Sequence, residues 1–225
     1  EEELRVIRKF SWLHTELVPY MYHYVVTAHD GDKRLQTPLK EGKYHYMFGD
    51  DFLVAPIYRD SKNRNITLPK GQWRYFFNDK DLLEGEVNIE REFPMDEFPV
   101  YIKEGAIVPL DIKRAYTGLG DLDSEGYTTF LVYPKAENSF IYYHTDTVGE
   151  TNISYQMADD KLKLSLVGTK IPHLFRIHAN RAPIKITLDG HLLQEGLQWE
   201  FNSQKNKLII KSGKEYMKGN YVIIF

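Results

Sequence analysis

Residues 46–56, Tyr-Met-Phe-Gly-Asp-Asp-Phe-Leu-Val-Ala-Pro, are the stretch of this 225-residue chain that decides its fold. Apolar side chains follow one another almost without a break from Phe52 to Tyr58. Such a run predicts a strand that is buried on both faces, because a strand with one wet face would alternate polar and apolar residues. Gly49 and the two aspartates after it punctuate the start of the strand, and Pro56 marks its bend or end.

A helical pattern precedes this stretch, at residues 2–29. Apolar residues recur there at spacings of three and four, from Leu4 to Tyr24. Pro19 lacks a backbone donor, so the sequence predicts either a kink near Leu17 or a division into two helices. The tripeptide Asp30-Gly31-Asp32 is predicted to end the helical segment. A helix with so many rings on one face needs a partner surface, either the β-structure that follows or a barrel that precedes it.

The pattern after residue 52 has the period of two that is typical of strands. Short strands alternate with turn signals, which predicts antiparallel sandwiches. The first set of strands is predicted at 65–68, 72–77, 87–93, 100–102 and 106–108, with turns at 69–71 and 78–81. A segment rich in Gly and Asp, residues 111–126, is predicted to be a linker. The second set of strands runs from 128 to 225, with turns at 135–138, 158–160 and 189–190.

Four segments, in this order, resemble glycoside hydrolase family 31, the α-glucosidase and α-xylosidase family. Residues 46–56 resemble the segment that leaves the catalytic barrel in that family, and the likeness continues through residues 68–73, 93–102 and 105–110. It covers residues 4–110 closely and the rest in outline. One departure is Gln36-Thr37-Pro38-Leu39, which stands where the family usually has Arg-Pro-Leu, so the basic residue is missing.

The resemblance implies a mainly β fold: two antiparallel β-sandwich domains, preceded by a helix and strand from the end of a (β/α)8 barrel. The implied domains are a barrel remnant at 1–51, a proximal sandwich at 52–110, the linker at 111–126 and a distal sandwich at 127–225.

The bulk composition excludes several classes of function. A formal net charge of -3 gives no electrostatic basis for binding nucleic acid. The chain has no cysteine, which excludes disulfides, thiolate metal sites and a cysteine nucleophile. No apolar run approaches the roughly 20 residues of a membrane span, so no membrane partner is predicted. The first residues, Glu-Glu-Glu-Leu-Arg, do not have the pattern of a signal peptide, and the compartment is left open.

The acidic residues give no candidate catalytic pair. Retaining glycosidases need two carboxyl groups about 5–5.5 Å apart, and in the family these are aspartates on barrel strands upstream of residue 4. No segment here resembles the surroundings of either one. Asp50 and Asp51 would point to opposite faces of a strand, which favours a loop or capping role. Asp159-Asp160 is predicted to be a hairpin tip, and the acids of 121–126 lack the spacing of a calcium loop.

Other site types are also weakly represented. His173 and His178 are five apart, so on one strand they would face opposite sides and would not form a metal pair. No nucleophile elbow or phosphate loop occurs. Asn65 and Asn152 begin Asn-x-Ser/Thr sequons, most of which arise by chance in a polar protein. Rings with a possible sugar-stacking role, against the more common role in packing, are Trp73, Tyr75, Trp199 and Tyr216.

The sequence therefore predicts no catalytic, cofactor-binding or metal-binding residue in this chain. By resemblance, it would be the C-terminal, non-catalytic part of a retaining α-glycosidase without a cofactor. Its partner would be the upstream catalytic barrel of the parent protein, and α-linked oligosaccharide would be bound through the parent. The alternative is an autonomous carbohydrate-binding β-sandwich module without hydrolytic activity.

Overall fold

The computed structural model describes residues 1–31, 33–213 and 216–225, with the side chains of residues 216 and 217 outside the description. This part of the chain divides into two compact units. The first unit comprises residues 1–9 and 24–104, and the second comprises residues 10–23 and 105–225. The predicted ranges of the barrel remnant, the two sandwiches and the linker stay predictions.

Two helices occupy the first thirty residues. Helix α1 spans Glu2–Glu16 and helix α2 spans Val18–His29. The predicted helix at 2–29 is thus divided in two at Leu17, because Pro19 has no N–H to donate and its ring crowds the carbonyl group four residues earlier. After α2, the Gly31 amide bonds the Ala28 carbonyl at 3.1 Å, and Gly31 has a φ of 90°. The predicted stop is confirmed at Gly31, whereas Asp32 lies outside the described residues.

The first unit is built from two antiparallel sheets. A six-stranded sheet has the order β1-β2-β3-β8-β5-β6, and β4 pairs with β7 in a two-stranded sheet. The strands are β1 Gln36–Pro38, β2 Tyr46–Phe48, β3 Phe52–Val54, β4 Asn63–Thr67, β5 Gln72–Tyr75, β6 Asn78–Glu84, β7 Asn88–Glu92 and β8 Val100–Lys103. Their core contains Leu53, Ile66, Trp73 and Tyr101, each exposed by 1% or less.

The stretch at residues 46–56 forms the hairpin of β2 and β3. All three residues of β3 are buried, which confirms the strand buried on both faces. The strand ends at Val54, earlier than the apolar run suggests, because Pro56 cannot donate to a ladder. The last ladder-like bond runs from the Ala55 amide to the Pro99 carbonyl, at 2.9 Å.

The predicted turn at 78–81 is wrong. Residues 76 and 77 form the turn, and β6 already begins at Asn78, which pairs with Tyr75. The physical reason is the buried Arg74 side chain. Its guanidinium donates to the carbonyl groups of Asp79 and Lys80, at 3.0 and 2.8 Å, and so holds this polar segment against β5.

The second unit is a sandwich of two sheets. The five-stranded sheet has the order β17-β18-β14-β10-β9 and the six-stranded sheet the order β11-β12-β13-β19-β15-β16. Ring contacts join their inner faces: Phe130 meets Tyr142 at 5.8 Å, and Phe175 meets Tyr221 at 5.3 Å. The strands are β9 Ile107–Leu110, β10 Thr128–Val132, β11 Glu137–Tyr143, β12 Glu150–Ala158, β13 Lys161–Ile171, β14 His173–His178, β15 Lys185–Leu188, β16 His191–Leu192, β17 Trp199–Asn202, β18 Lys207–Lys211 and β19 Tyr216–Ile224.

The strand pattern predicted for residues 128–225 is confirmed, with one correction to its direction. Strands β10 and β14 pair in parallel, with Phe130 opposite Phe175, whereas an entirely antiparallel sandwich was predicted. The parallel pair arises because β11, β12 and β13, which lie between them in sequence, belong to the opposite sheet. A crossover of this kind returns the chain in the same direction.

The hairpin turn at Asp189-Gly190 is also confirmed, since Leu188 pairs with His191 across it. Both turn residues have positive φ, 49° for Asp189 and 84° for Gly190, as a type I′ turn requires.

We expect Gly190→Ala to lower the free energy of unfolding by about 1–2 kcal/mol, because alanine is strained at positive φ. Urea denaturation of the two chains would measure the loss. Gly213→Ala, at a glycine with no positive φ and open space around it, is the matched control and should be neutral. Equal effects of the two changes would contradict the strain argument.

Candidate functional site

The two pairs of adjacent aspartates, Asp50-Asp51 and Asp159-Asp160, have structural roles within the chain. Asp50 is exposed and pairs with Lys33, whereas Asp51 is buried. Asp159 and Asp160 form the tip of the β12–β13 hairpin, and Asp160 pairs with Arg181. The predicted structural roles of both acidic pairs, in a loop and at a hairpin tip, are confirmed.

Two acidic side chains of segment 121–126 form hydrogen bonds with residues of the second unit. Asp121 caps a short 3-10 helix by accepting a hydrogen bond from the Leu122 amide, at 2.7 Å. Both carboxylate oxygens of Asp123 accept from the buried Arg176 guanidinium, at 2.7 and 2.9 Å. Within the part of the chain that the structure describes, no group of three His, Asp or Glu side chains is placed to hold a metal ion.

His173 and His178 lie on β14 and point to opposite faces, as predicted. His173 is fully buried and its Nε2 lies 2.6 Å from the Tyr221 hydroxyl group. Burial lowers the pKa of His173 to about 4, so the ring is neutral at physiological pH. His178 stacks on Tyr133 with ring centroids 5.6 Å apart. Both rings are therefore part of the packing of the second unit.

Packing, the role favoured for the four aromatic rings over sugar stacking, is confirmed for three of them. Trp73, Tyr75 and Trp199 are exposed by 1%, 3% and 8%, so none of them offers a face to a ligand. The Trp73 indole also donates to the Pro69 carbonyl, at 2.8 Å. The side chain of Tyr216 lies outside the described residues. Sugar stacking is thus excluded for Trp73, Tyr75 and Trp199.

Each unit leaves apolar helix residues in solvent. In the first unit, Leu4 and Ile7 on α1 are 58% and 63% exposed, and they lie three residues apart on one side of the helix. In the second unit, Val18 and Tyr22 on α2 are each 39% exposed and lie four residues apart. In the described ranges, neither helix is long and apolar enough to cross a membrane. A further protein surface that covered these helix residues would bury apolar area.

Glu16, at the end of α1, is a buried carboxyl group inside the second unit. Its Oε2 accepts a hydrogen bond from the Thr117 hydroxyl group at 2.7 Å, and its backbone carbonyl accepts from the Asp111 amide at 3.0 Å. Its Oε1 is buried without a hydrogen-bond partner among the described residues. Burial raises the pKa of Glu16 to about 7, an effect that the Asp111 charge reinforces and the Thr117 hydrogen bond opposes. At neutral pH this carboxyl group is therefore close to half-protonated.

A row of short polar residues crosses the outer face of the six-stranded sheet in the second unit. Ser139, Ser154, Ser165 and Asn220 lie opposite one another on β11, β12, β13 and β19. They line a groove of about 720 Å³. The two central serines are half-buried, and the residues at the two ends of the row are exposed. We call this feature the serine groove.

The walls of the serine groove are longer polar side chains. Glu137, Gln156 and Lys163 line it and lie in the next row of the same face, opposite one another on their strands. The groove thus carries one acid and one base. Sequence reasoning did not find it, although the hairpin turn at 159–160 already sets Ser154 opposite Ser165. The position of Asn220, more than fifty residues away in sequence, has no local signal.

Comparisons with known proteins find relatives among α-glucosidases and α-xylosidases. Alpha-glucosidase 2 of Bacillus thermoamyloliquefaciens is 25% identical over 215 residues, which cover 85% of this chain and 27% of that protein. An alpha-xylosidase of Saccharolobus solfataricus is 26% identical over 161 residues, covering 65% of this chain and 21% of that protein. The chain thus spans a minor part of each relative's length.

A solved structure extends the likeness of fold over the whole chain. The GH31 dextranase of Flavobacterium johnsoniae, complexed with glucose, superposes with a TM-score of 0.85 at 22% identity, covering 100% of this chain and 33% of that one. The glycosyl hydrolase family 31 C-terminal domain matches residues 19–108. This range contains three of the four segments that carry the resemblance, and residues 105–108 of the fourth. Residues 19–108 of the chain thus match the C-terminal domain of glycosyl hydrolase family 31, and the relatives and the solved structure extend the similarity beyond this range.

Proposed function

We propose that this chain is the non-catalytic C-terminal part of a retaining α-glycosidase, and that its task is to support the catalytic barrel of the parent protein. The observation that carries the proposal is the exposure of Leu4 and Ile7 on α1. Two large aliphatic side chains on one side of a helix are expected to be covered in the complete protein, because their burial is favourable by about 1.5–3 kcal/mol each.

Two further observations support a covering barrel. Strand β1 is an edge strand of its sheet and all three of its residues are exposed, so its outer edge has backbone groups available for pairing. The relatives are also three to five times longer than the segment they share with this chain, since that segment is 27% of the α-glucosidase and 21% of the α-xylosidase. The missing length is ample for a barrel of about 250 residues.

The proposed parent would cleave terminal α-linked glucose or xylose with retention of configuration. That reaction uses one carboxylate as nucleophile and one carboxylic acid as proton donor, about 5–5.5 Å apart. The acids described above serve a loop, a hairpin tip, a helix cap and an ion pair in this chain. We therefore assign both catalytic groups, and the contacts that read the sugar ring, to the upstream barrel.

Activity assays test this assignment. The 225-residue chain and a longer chain that includes the upstream barrel would be incubated with chromogenic α-glucoside and α-xyloside. We expect turnover by the longer chain alone, and its preferred substrate would decide between glucose and xylose. Turnover by the short chain would overturn the proposal.

Thermal stability of the longer chain tests the supporting role. Replacing Leu4 and Ile7 by serine should lower it, because both side chains are expected to be covered by the barrel. Replacing Ile184 by serine should not lower it, because Ile184 is exposed and lies in a loop.

The second candidate is an autonomous carbohydrate-binding module, and the serine groove is the observation that favours it. Such a module would be retarded on an affinity gel carrying α-glucan, and a purely supporting part would not. Aligned exposed rings, the usual signature of such modules, are not supplied by Trp73, Tyr75 or Trp199, because all three are buried. A module here would have to recognise sugar through polar side chains.

A further inference from the structure

The serine groove has the dimensions of a ligand site. Its volume of about 720 Å³ lies within the range of small-molecule pockets. Neighbouring strands are about 4.8 Å apart, so the four strands that carry the polar row span about 14 Å. A trough of this length suits a short linear ligand that lies across the strands.

The chemistry of the lining selects a neutral, polyhydroxylated ligand. A serine hydroxyl group both donates and accepts, and the side-chain amides of Asn220 and Gln156 present both functions as well. These are the complements of sugar hydroxyl groups, which also donate and accept. The single acid, Glu137, and the single base, Lys163, leave the groove without a net charge to attract an anion or a cation.

The serines of the polar row can form further hydrogen bonds with a ligand. Ser165 Oγ donates to Asn220 Oδ1 over a long 3.3 Å, and the Asn220 amide nitrogens donate to Asp189 at 3.0 Å. Each serine oxygen still has lone pairs, and each hydroxyl hydrogen can rotate towards a ligand. Aliphatic side chains flank the row on the same face: Ile141 is 36% exposed and Val167 is 47% exposed. They offer contact to the C–H surface of a sugar ring.

We propose that the serine groove binds a segment of α-linked gluco-oligosaccharide, with sugar hydroxyl groups bonded to Ser139, Ser154, Ser165 and Asn220. The choice of α-linked glucose rests on the proposed function, whereas the groove and its polarity do not. No exposed ring belongs to the described lining, so the binding lacks the large apolar contact that aromatics supply. The expected Kd is accordingly weak, on the order of 1 mM.

Nuclear magnetic resonance of the 15N-labelled 225-residue chain tests the proposal. Isomaltotriose and maltotriose would be titrated separately, with β-linked cellotriose as the comparison. We expect saturable shifts of the amides of Ser154, Ser165 and Asn220 with an α-linked trisaccharide. The double variant Ser154→Val/Ser165→Val removes both central hydroxyl groups with a side chain that suits a strand, and it should weaken binding at least about tenfold.

A matched control separates the groove from the sheet as a whole. Thr187 lies on β15 of the same sheet, is half-buried and does not line the groove, so Thr187→Val loses a hydroxyl group there and should leave binding unchanged. Absence of saturable shifts with both α-linked sugars, or equal losses in the two variants, would overturn the groove as a site. Equal binding of cellotriose would overturn the α-linkage. Neither the loss of the groove as a site nor the loss of the α-linkage preference would contradict the proposal that this chain supports the barrel. The activity assays with the longer chain test that proposal separately.

Discussion

Replacing Arg74 by methionine is expected to lower the free energy of unfolding by about 3–5 kcal/mol. The Arg74 and Glu104 side chains are only 6% and 11% exposed, and they form an ion pair in the first unit. The same guanidinium donates to the carbonyl groups of Asp79 and Lys80. Methionine keeps much of the length and volume but leaves Glu104 as a nearly buried charge, and it frees two carbonyl groups that water reaches poorly.

Urea denaturation would measure this loss, and two further variants identify its cause. The double variant Arg74→Met/Glu104→Met removes the stranded charge as well, so it should recover a large part of the lost stability. Arg181→Met breaks the exposed pair with Asp160, where both side chains are more than half exposed, and should cost less than about 1 kcal/mol. If Arg74→Met is as stable as Arg181→Met, the prediction is wrong, and the Arg74–Glu104 ion pair does not stabilise the pairing of β5 with β6.

Replacing Glu16 by glutamine is expected to stabilise the chain at pH 8 and to have little effect near pH 4.5. The pKa of Glu16 is about 7 in the folded chain and about 4.5 in the unfolded chain. Between these values the folded chain holds a proton that the unfolded chain has lost, so stability falls as the pH rises from 4.5 to 7. The shift corresponds to about 3 kcal/mol at higher pH. Glutamine imitates the protonated acid and can still accept from Thr117.

Unfolding midpoints at pH 5 and pH 8 would show the effect as a difference between the two pH values. The unmodified chain should lose stability between them, and Glu16→Gln should lose much less. Glu200→Gln, at an exposed acid on β17, makes the same change of charge and should follow the unmodified chain. The same pH dependence in Glu16→Gln and the unmodified chain would contradict the prediction, because it would show that the carboxyl group ionises in the folded chain without a penalty.

Much of the β-structure follows from signals within a few residues. The apolar run at Phe52 to Val54 predicts a strand buried on both faces, and the strand is found there. The Asp189-Gly190 dipeptide predicts a tight hairpin because both residues tolerate positive φ, and the turn adopts it. Pro19 predicts a disturbance of the helix at Leu17, where the helix divides. In each case the decisive interaction is local.

The features that sequence reasoning missed depend on contacts distant in sequence. The turn at 76–77 replaces the expected one because Arg74 captures carbonyl groups beyond it. The parallel pairing of β10 with β14 depends on which sheet the intervening strands join. Glu16 looks like an ordinary solvated acid of a helix until Thr117 and Asp111, about a hundred residues later, close over it. The serine groove needs Asn220 beside Ser165, a pairing that no local pattern contains.

Strand β19 is the last strand of its sheet in sequence, yet it lies between β13 and β15. During synthesis on the ribosome, the β11–β13 meander and the β15–β16 hairpin can therefore not join into one sheet until residues 216–224 emerge. Until then, each of them has an unpaired edge strand. Those edges can pair with other nascent chains during the delay. A nonsense codon ahead of β19 would make the delay permanent, and we expect the truncated product to be held by chaperones or to aggregate instead of losing a dispensable tail.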